Sequence, residues 1–215
     1  MGKSKIYVNG KLLAEHFGGY LPVVVDVTDA LEFGKENLIA VWADNSNDPN
    51  YPPGKQQEVL DFTYFGGIYR DCWLIAHNQV FITDPNYENE EAGGGLFVAY
   101  NNVSDHSAEV LLKIQIRNSG RKAFKGVVEY ELQQPDGQQV ASLNSVIRIK
   151  PGKSTYSSDK LTVKGPMLWS PENPALYNLI VRIRDEKGQT DRWLPAPDRN
   201  TQYRIQRRRW ILAER

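Results

Sequence analysis

The sequence predicts an all-β protein built from two modules. Three observations carry that reading. Apolar residues alternate with polar ones along many short stretches, Gly, Pro, Asn and Asp punctuate those stretches at short intervals, and no segment of about a dozen residues sustains a helical period. The 215 residues are 40% hydrophobic and 24% charged, with no net charge. That composition excludes a disordered chain, a collagen and a coiled coil. No apolar run is long enough to cross a membrane as a helix, and no apolar export signal follows the first residues.

Taken in order, Ile6 and Val8, followed by Leu12, flank Asn9-Gly10, the dipeptide that tolerates the two positive φ values of a tight hairpin. Residues 21–27 are β-branched and apolar and read as a strand. Residues 28–33 read as a turn of helix, with Thr28 as N-cap and Gly34 as the stop. Residues 38–42 and 73–76 read as buried strands, and 80–83 as another. The composition then changes over 84–95, where Pro85, Asn86, Glu88, Asn89, Glu90 and Glu91 precede Gly93-Gly94-Gly95. Three glycines cradle a phosphate only between a strand and a helix. Strands are expected on both sides here, so the stretch reads as a linker.

Strands follow at 96–100, 110–117, 126–133, 139–149, 153–162 and 177–185. They are separated by Asn118-Ser119-Gly120, Pro135-Asp136-Gly137, Lys150-Pro151-Gly152 and Glu186-Lys187-Gly188. Alternation is plain in Leu112-Lys113-Ile114-Gln115-Ile116-Arg117. So many short strands with regular turns describe an immunoglobulin-like β-sandwich. The expected organisation is a first module over 1–84, a linker over 85–95, the sandwich over 96–193 and a tail over 194–215.

The chemistry-bearing residues are sparse. His16, His77 and His106 sit on separate segments without ligand spacing, so neither a metal site nor a cofactor is expected. Cys72 is the only cysteine and reads as a buried thiol beside Trp73. Asn102-Val103-Ser104 matches a glycosylation sequon, which carries little weight without an export signal. Residues 42–73 are richer. Trp42, Tyr51, Phe62, Tyr64, Phe65, Tyr69 and Trp73 crowd around Asp44, Asp48, Asp61, Arg70 and Asp71. Aromatic faces stack on the C–H faces of sugars and carboxylates accept hydroxyl hydrogen bonds, so the region suits a carbohydrate. A sandwich core closed by an Arg70–Asp71 turn accounts for the same residues.

Four stretches resemble glycoside hydrolase family 2, the group of β-galactosidases, β-glucuronidases and β-mannosidases. They are Ile6-Tyr7-Val8-Asn9-Gly10-Lys11; Gly18-Gly19-Tyr20-Leu21-Pro22 with Asp26-Val27-Thr28; the signature from Asp61 through Gly66-Gly67-Ile68-Tyr69-Arg70-Asp71-Cys72-Trp73-Leu74; and Leu168-Trp169-Ser170-Pro171-Glu172-Asn173-Pro174-Ala175-Leu176-Tyr177. Cys72 stands where that signature has Val. The resemblance covers about 1–193. It implies a galactose-binding-like jelly roll, partial here because the family has further strands ahead of the Val-Asn-Gly hairpin, followed by the immunoglobulin-like sandwich. In the family these precede a (β/α)₈ barrel whose two glutamates act as acid/base and nucleophile in a retaining hydrolysis. No glutamate in this sequence matches those catalytic motifs. The resemblance therefore implies no catalytic residue here and one substrate-binding residue, Asp61, reaching toward the sugar at the barrel mouth. Arg70 and Asp71 are expected to pair within the fold, and Trp169 and Pro171 to pack the end of the sandwich.

The implied function is that of a non-catalytic fragment of a β-galactosidase-like enzyme. The parent reaction would be retaining hydrolysis of terminal β-galactosides, and the partners a carbohydrate and the absent barrel. The alternatives are a free-standing carbohydrate-binding module and an interaction sandwich without a ligand. Neither nucleic acid nor a membrane is an expected partner, and the compartment stays open.

Residues 199–215 hold six Arg against one Glu. In the family the corresponding region reads G-I-R-x-I-E-F and then G-F-x-L-N-G-K. Codons compatible with Arg199–Ile205, read one base later, spell G-I-R-N-I-E-F, and those for 210–215 spell G-F-W-L-N-G. The tail is therefore expected to be out of frame or disordered rather than a nucleic-acid patch. Sequencing the coding DNA past codon 185 checks this: a one-base correction should restore both strings, and an intact frame would refute the shift.

Overall fold

The computed structural model describes residues 2–186, apart from 53, 63, 64 and 92. The expectation for 194–215 lies outside the described residues. The described chain is almost entirely strand and connecting loop, and it divides into two compact units, Met1–Ile75 and Ala76–Arg215.

The first unit holds one antiparallel sheet of three strands, β1 (Lys3–Val8), β2 (Lys11–Phe17) and β3 (Ile39–Asp44), in the order β2-β1-β3. The predicted hairpin is present. Asn9 and Gly10 both take positive φ, 49° and 81°, which matches the twist of the flanking strands. Asn9 does more than turn the chain. Its Oδ1 accepts the Leu38 N–H at 2.9 Å, and its Nδ2 donates to Ala30 O at 2.9 Å and to Asn37 Oδ1 at 2.8 Å. The hairpin tip thereby fixes the approach of the loop that leads into β3. Alternation along β1 places Ser4, Ile6 and Val8 on one face and Lys3, Lys5 and Tyr7 on the other. Val8 is completely buried.

Two predicted strands in this unit do not form. Residues 21–27 and 73–76 carry no strand, and Trp73 is 78% exposed. Apolar, β-branched composition makes a strand only where a sheet edge accepts it, and neither segment pairs among the described residues. Residues 28–30 form a short 3₁₀ turn with Val27, not Thr28, at its N-cap position, and Asp26 Oδ1 accepts the Thr28 N–H at 2.9 Å in the turn that leads into it. Cys72 is exposed, not buried.

The second unit is a β-sandwich. Its strands are β4 (Val80–Ile82), β5 (Leu96–Asn101), β6 (Ser107–Asn118), β7 (Phe124–Gln133), β8 (Gln139–Ile149), β9 (Lys153–Lys164) and β10 (Asn178–Asp185), with one short helix α1 (Pro85–Glu88). One antiparallel sheet runs β10-β7-β8. In the other, β6 pairs along its whole length with β9, and its opposite edge is shared end to end by β4 and β5. The hairpin joining β8 to β9 carries the chain from one sheet to the other. Val110, Leu112, Ile114 and Ile116 of β6 and Leu161 and Val163 of β9 form one buried cluster. Facing them across the sandwich are Val128, Tyr130 and Leu132 of β7, Ile147 and Ile149 of β8, and Leu179 and Val181 of β10. Each such side chain contributes roughly 1.5–3 kcal/mol by leaving water.

Residues 84–95 carry local structure of their own. The sandwich unit already includes β4, upstream of them, and α1 lies within them, capped by Asp84 Oδ1, which accepts the N–H groups of Asn86 (2.8 Å) and Tyr87 (3.1 Å). Gly94 and Gly95 take φ of 69° and 61°, and a Cβ on Gly95 would lie 2.7 Å from Pro85 Cδ. The glycines are needed for close packing rather than for looseness.

Cross-strand ion pairs line β7 and β10. Arg182 meets Glu131 at 2.7 Å and Arg184 meets Glu129 at 2.6 Å. The Arg182 hydrogen bond, aided by Gln133, holds the Glu131 carboxyl below the usual carboxylate range. A lowered folded-state value contributes stability above the ordinary carboxylate range, and the contribution is lost as pH falls through the lowered value. Arg182→Gln should therefore cost at most about 1 kcal/mol at pH 7 and close to nothing near pH 3. Urea unfolding of both proteins at the two pH values checks this, and an equal deficit at both would contradict the pairing.

Candidate functional site

The residues that sequence reading grouped over 42–73 fall into two sets within the first unit. One set gathers on the Lys3/Lys5 face of the sheet. Lys5 Nζ lies 2.7 Å from Glu15 and 5.9 Å from the centre of the Trp42 ring. Lys3 Nζ lies 2.5 Å from Asp48 and 5.5 Å from the centre of the Tyr51 ring. Tyr51 stacks on Phe17 with ring centres 4.9 Å apart. Register explains the grouping, because Lys5 sits between Glu15 on β2 and Trp42 on β3, and Lys3 between Phe17 and Asp44. Asp44 accepts the Ser46 N–H and Oγ–H at 2.8 and 3.0 Å, and these bonds lower its carboxyl pKa. The Lys3 hydrogen bond lowers that of Asp48. These carboxylates stay ionised, each already engaged by local donors, beside half-exposed rings. Sequence reading identified Trp42, Tyr51, Asp44 and Asp48 but missed Phe17, Lys3 and Lys5. The strand pairing that brings these in becomes visible only once β1 is known to be the central strand.

The second set is the segment 61–74. Asp61, Phe62, Phe65, Tyr69, Arg70, Asp71 and Trp73 are all exposed, and Tyr64 lies outside the described residues. Among the described residues, two contacts anchor the segment. The Tyr69 hydroxyl donates to Gly19 O at 3.2 Å, which joins the signature to the Gly18-Gly19-Tyr20 stretch. Gly66 lies against Asn45, where a Cβ would meet Asn45 Oδ1 at 2.7 Å, so Gly66 lets the segment approach the chain just beyond β3 closely. Arg70 does not pair with Asp71. Its guanidinium lies 5.5 Å from the centre of the Tyr69 ring, and among the described residues no ion pair joins the two. Both side chains are exposed, where an isolated ion pair gains little.

The other singled-out residues behave structurally. His77 stacks on Phe81 at 3.6 Å, and among the described residues no three His, Cys, Asp or Glu gather as a metal site. In the 168–177 stretch, Ser170 and Asn173 exchange backbone hydrogen bonds of 3.0 and 3.1 Å, and the Tyr177 hydroxyl accepts the Met167 N–H at 2.8 Å. Trp169 is half-buried there and Pro171 is exposed, so Pro171 does not pack the end of the sandwich as expected.

Residues 95–193 match the family model described as glycosyl hydrolases family 2. The chain is 30% identical over 191 residues to a β-galactosidase of Thermoanaerobacter pseudethanolicus, a match that covers 88% of this chain and 23% of that protein. It is 28% identical over 214 residues to a β-glucuronidase of Formosa agariphila, covering 97% of this chain and 22% of that one. The crystal structure of a Bacteroides uniformis β-glucuronidase superposes with a TM-score of 0.73 at 31% identity, over 86% of this chain and 21% of that one. The chain thus spans less than a quarter of the length of these three relatives, and the similarity runs across both of its units. With the all-β architecture and the motifs in order, the chain belongs to glycoside hydrolase family 2.

Proposed function

We propose that this chain is the non-catalytic, substrate-flanking part of a family 2 glycoside hydrolase, a partial jelly roll followed by an immunoglobulin-like sandwich. The parent reaction is retaining hydrolysis of a terminal β-galactoside, and Asp61 accepts hydrogen bonds from the sugar. The observation that carries the reading is the continuous similarity of both units to glycosidases several times longer. The exposure of Asp61 within an exposed, aromatic-rich segment supports its role, because a carboxylate can accept sugar hydroxyls only where it is open to them. A retaining mechanism needs two carboxylates about 5 Å apart, and no glutamate here sits in a catalytic motif of the family. The chain on its own therefore supplies shape and contacts rather than bond cleavage.

A free-standing carbohydrate-binding module is the second reading. It is favoured by the half-exposed Trp42 and the Phe17–Tyr51 stack beside the Lys3–Asp48 and Lys5–Glu15 pairs.

One set of kinetic measurements separates the readings. Expressed as given, the chain should not cleave p-nitrophenyl β-galactoside or p-nitrophenyl β-glucuronide. In the longer polypeptide, Asp61→Ala should lower kcat/KM for the galactoside by about 100-fold, a loss of nearly 3 kcal/mol in transition-state binding. Turnover by the chain alone would overturn the first claim. An unchanged kcat/KM would overturn the role of Asp61.

A further inference from the structure

The edge of the four-stranded sheet is interrupted in an unusual way. β4 leaves it at Ile82, β5 resumes it at Leu96, and β6 runs unbroken past the gap. Polar contacts close the neck. The Thr83 N–H donates to Gln115 O at 3.1 Å, and the Gln115 N–H donates to Gly95 O at 2.8 Å. The Gln115 side chain occupies an outward position of β6, yet it is only 3% exposed. Its Oε1 accepts the Thr83 hydroxyl at 2.7 Å, and that hydroxyl oxygen accepts the Gly95 N–H at 2.9 Å. Its Nε2 donates to both carboxylate oxygens of Glu90 at 3.4 Å. Glu90 also accepts the Tyr156 hydroxyl from β9, and the Tyr156 oxygen accepts the Gly94 N–H at 3.4 Å. Beyond this neck the contacts thin out. Helix α1 buries no residue, and among the described residues one ion pair, Glu88 with Arg117 at 3.8 Å, joins it to the sheet.

We propose that residues 84–91 and 93–95 form a strap, latched through Glu90, that opens as a unit from the outer face of the sheet while the sandwich stays folded. The division of contacts supports this. No strap residue belongs to the buried apolar cluster of the sandwich, and the strap is held by hydrogen bonds, with the Gln115 and Tyr156 side chains of the sheet both meeting Glu90. Segments with few buried apolar contacts open at a small fraction of the global unfolding free energy. Opening uncovers Gln115, beside Tyr156 and Lys113, which are already exposed and whose ring centre and Nζ lie 4.7 Å apart. The strap therefore makes access to the Gln115 side-chain amide conditional.

Amide exchange by NMR on the full chain tests this. In the wild type, the Gly94 and Gly95 amides should exchange at least about tenfold faster than the Leu112 and Ile114 amides. Glu90→Gln and Tyr156→Phe should each speed Gly94 and Gly95 by about a further tenfold and leave Leu112 and Ile114 unchanged. Gly94 and Gly95 protected as strongly as Ile114 in the wild type would overturn the proposal. So would variants that speed all four amides together.

Discussion

Strand β6 is the element on which the sandwich depends. Every other strand of its sheet bonds to it, β9 along one side and β4 and β5 along the other. Its inward residues, Val110, Leu112, Ile114 and Ile116, supply the buried row against which the opposite sheet packs. A side-chain period of two leaves no freedom in this arrangement, because a slip of one residue would turn that row into the solvent. The two long partners of β6 and β7 are paired over ten residues or more, so register is fixed by many bonds at once.

The first unit rests on a different balance. Its sheet has three strands and, in the described residues, a single fully buried side chain, Val8. Its order comes from polar ties: Asn9 bridging to Leu38, Ala30 and Asn37, the Lys3 and Lys5 pairs, and Tyr69 reaching Gly19. Among the described residues the exposed segment 61–74 is held at a few points, and Asp61, Phe62 and Phe65 are open to solvent.

Legibility in the sequence follows the same division. Strands β5 to β10 could be read nearly to their ends, because alternation such as Leu112-Lys113-Ile114 is written locally and the connections after β6 each carry a Gly or Pro. The hairpin at Asn9-Gly10 was legible for the same reason. Residues 21–27 and 73–76 were misread, because strand formation there depends on an edge that composition does not report. The same limit applies to residues 84–95. Their acidic and glycine-rich composition resembles a tether, while the property that matters is the fit of Gly94 and Gly95 against Pro85 and Glu88. The polar node at Gln115 carried no signal, since an outward Gln in an alternating strand is ordinary until something is laid over it. In the candidate site, Asp61 and its signature were legible as a resemblance, whereas the Lys3, Lys5 and Phe17 cluster emerged only from the strand register.

The supporting role at a sugar site proposed for this chain rests on its similarity to glycoside hydrolase family 2 and on the exposure of the 61–74 signature. The most direct measurement of that role is a crystal structure of the longer polypeptide with a β-galactoside bound. The account predicts an Asp61 carboxylate oxygen within about 2.5–3.0 Å of a sugar hydroxyl oxygen. A bound galactoside with Asp61 turned away from it, or out of hydrogen-bond reach, would contradict it.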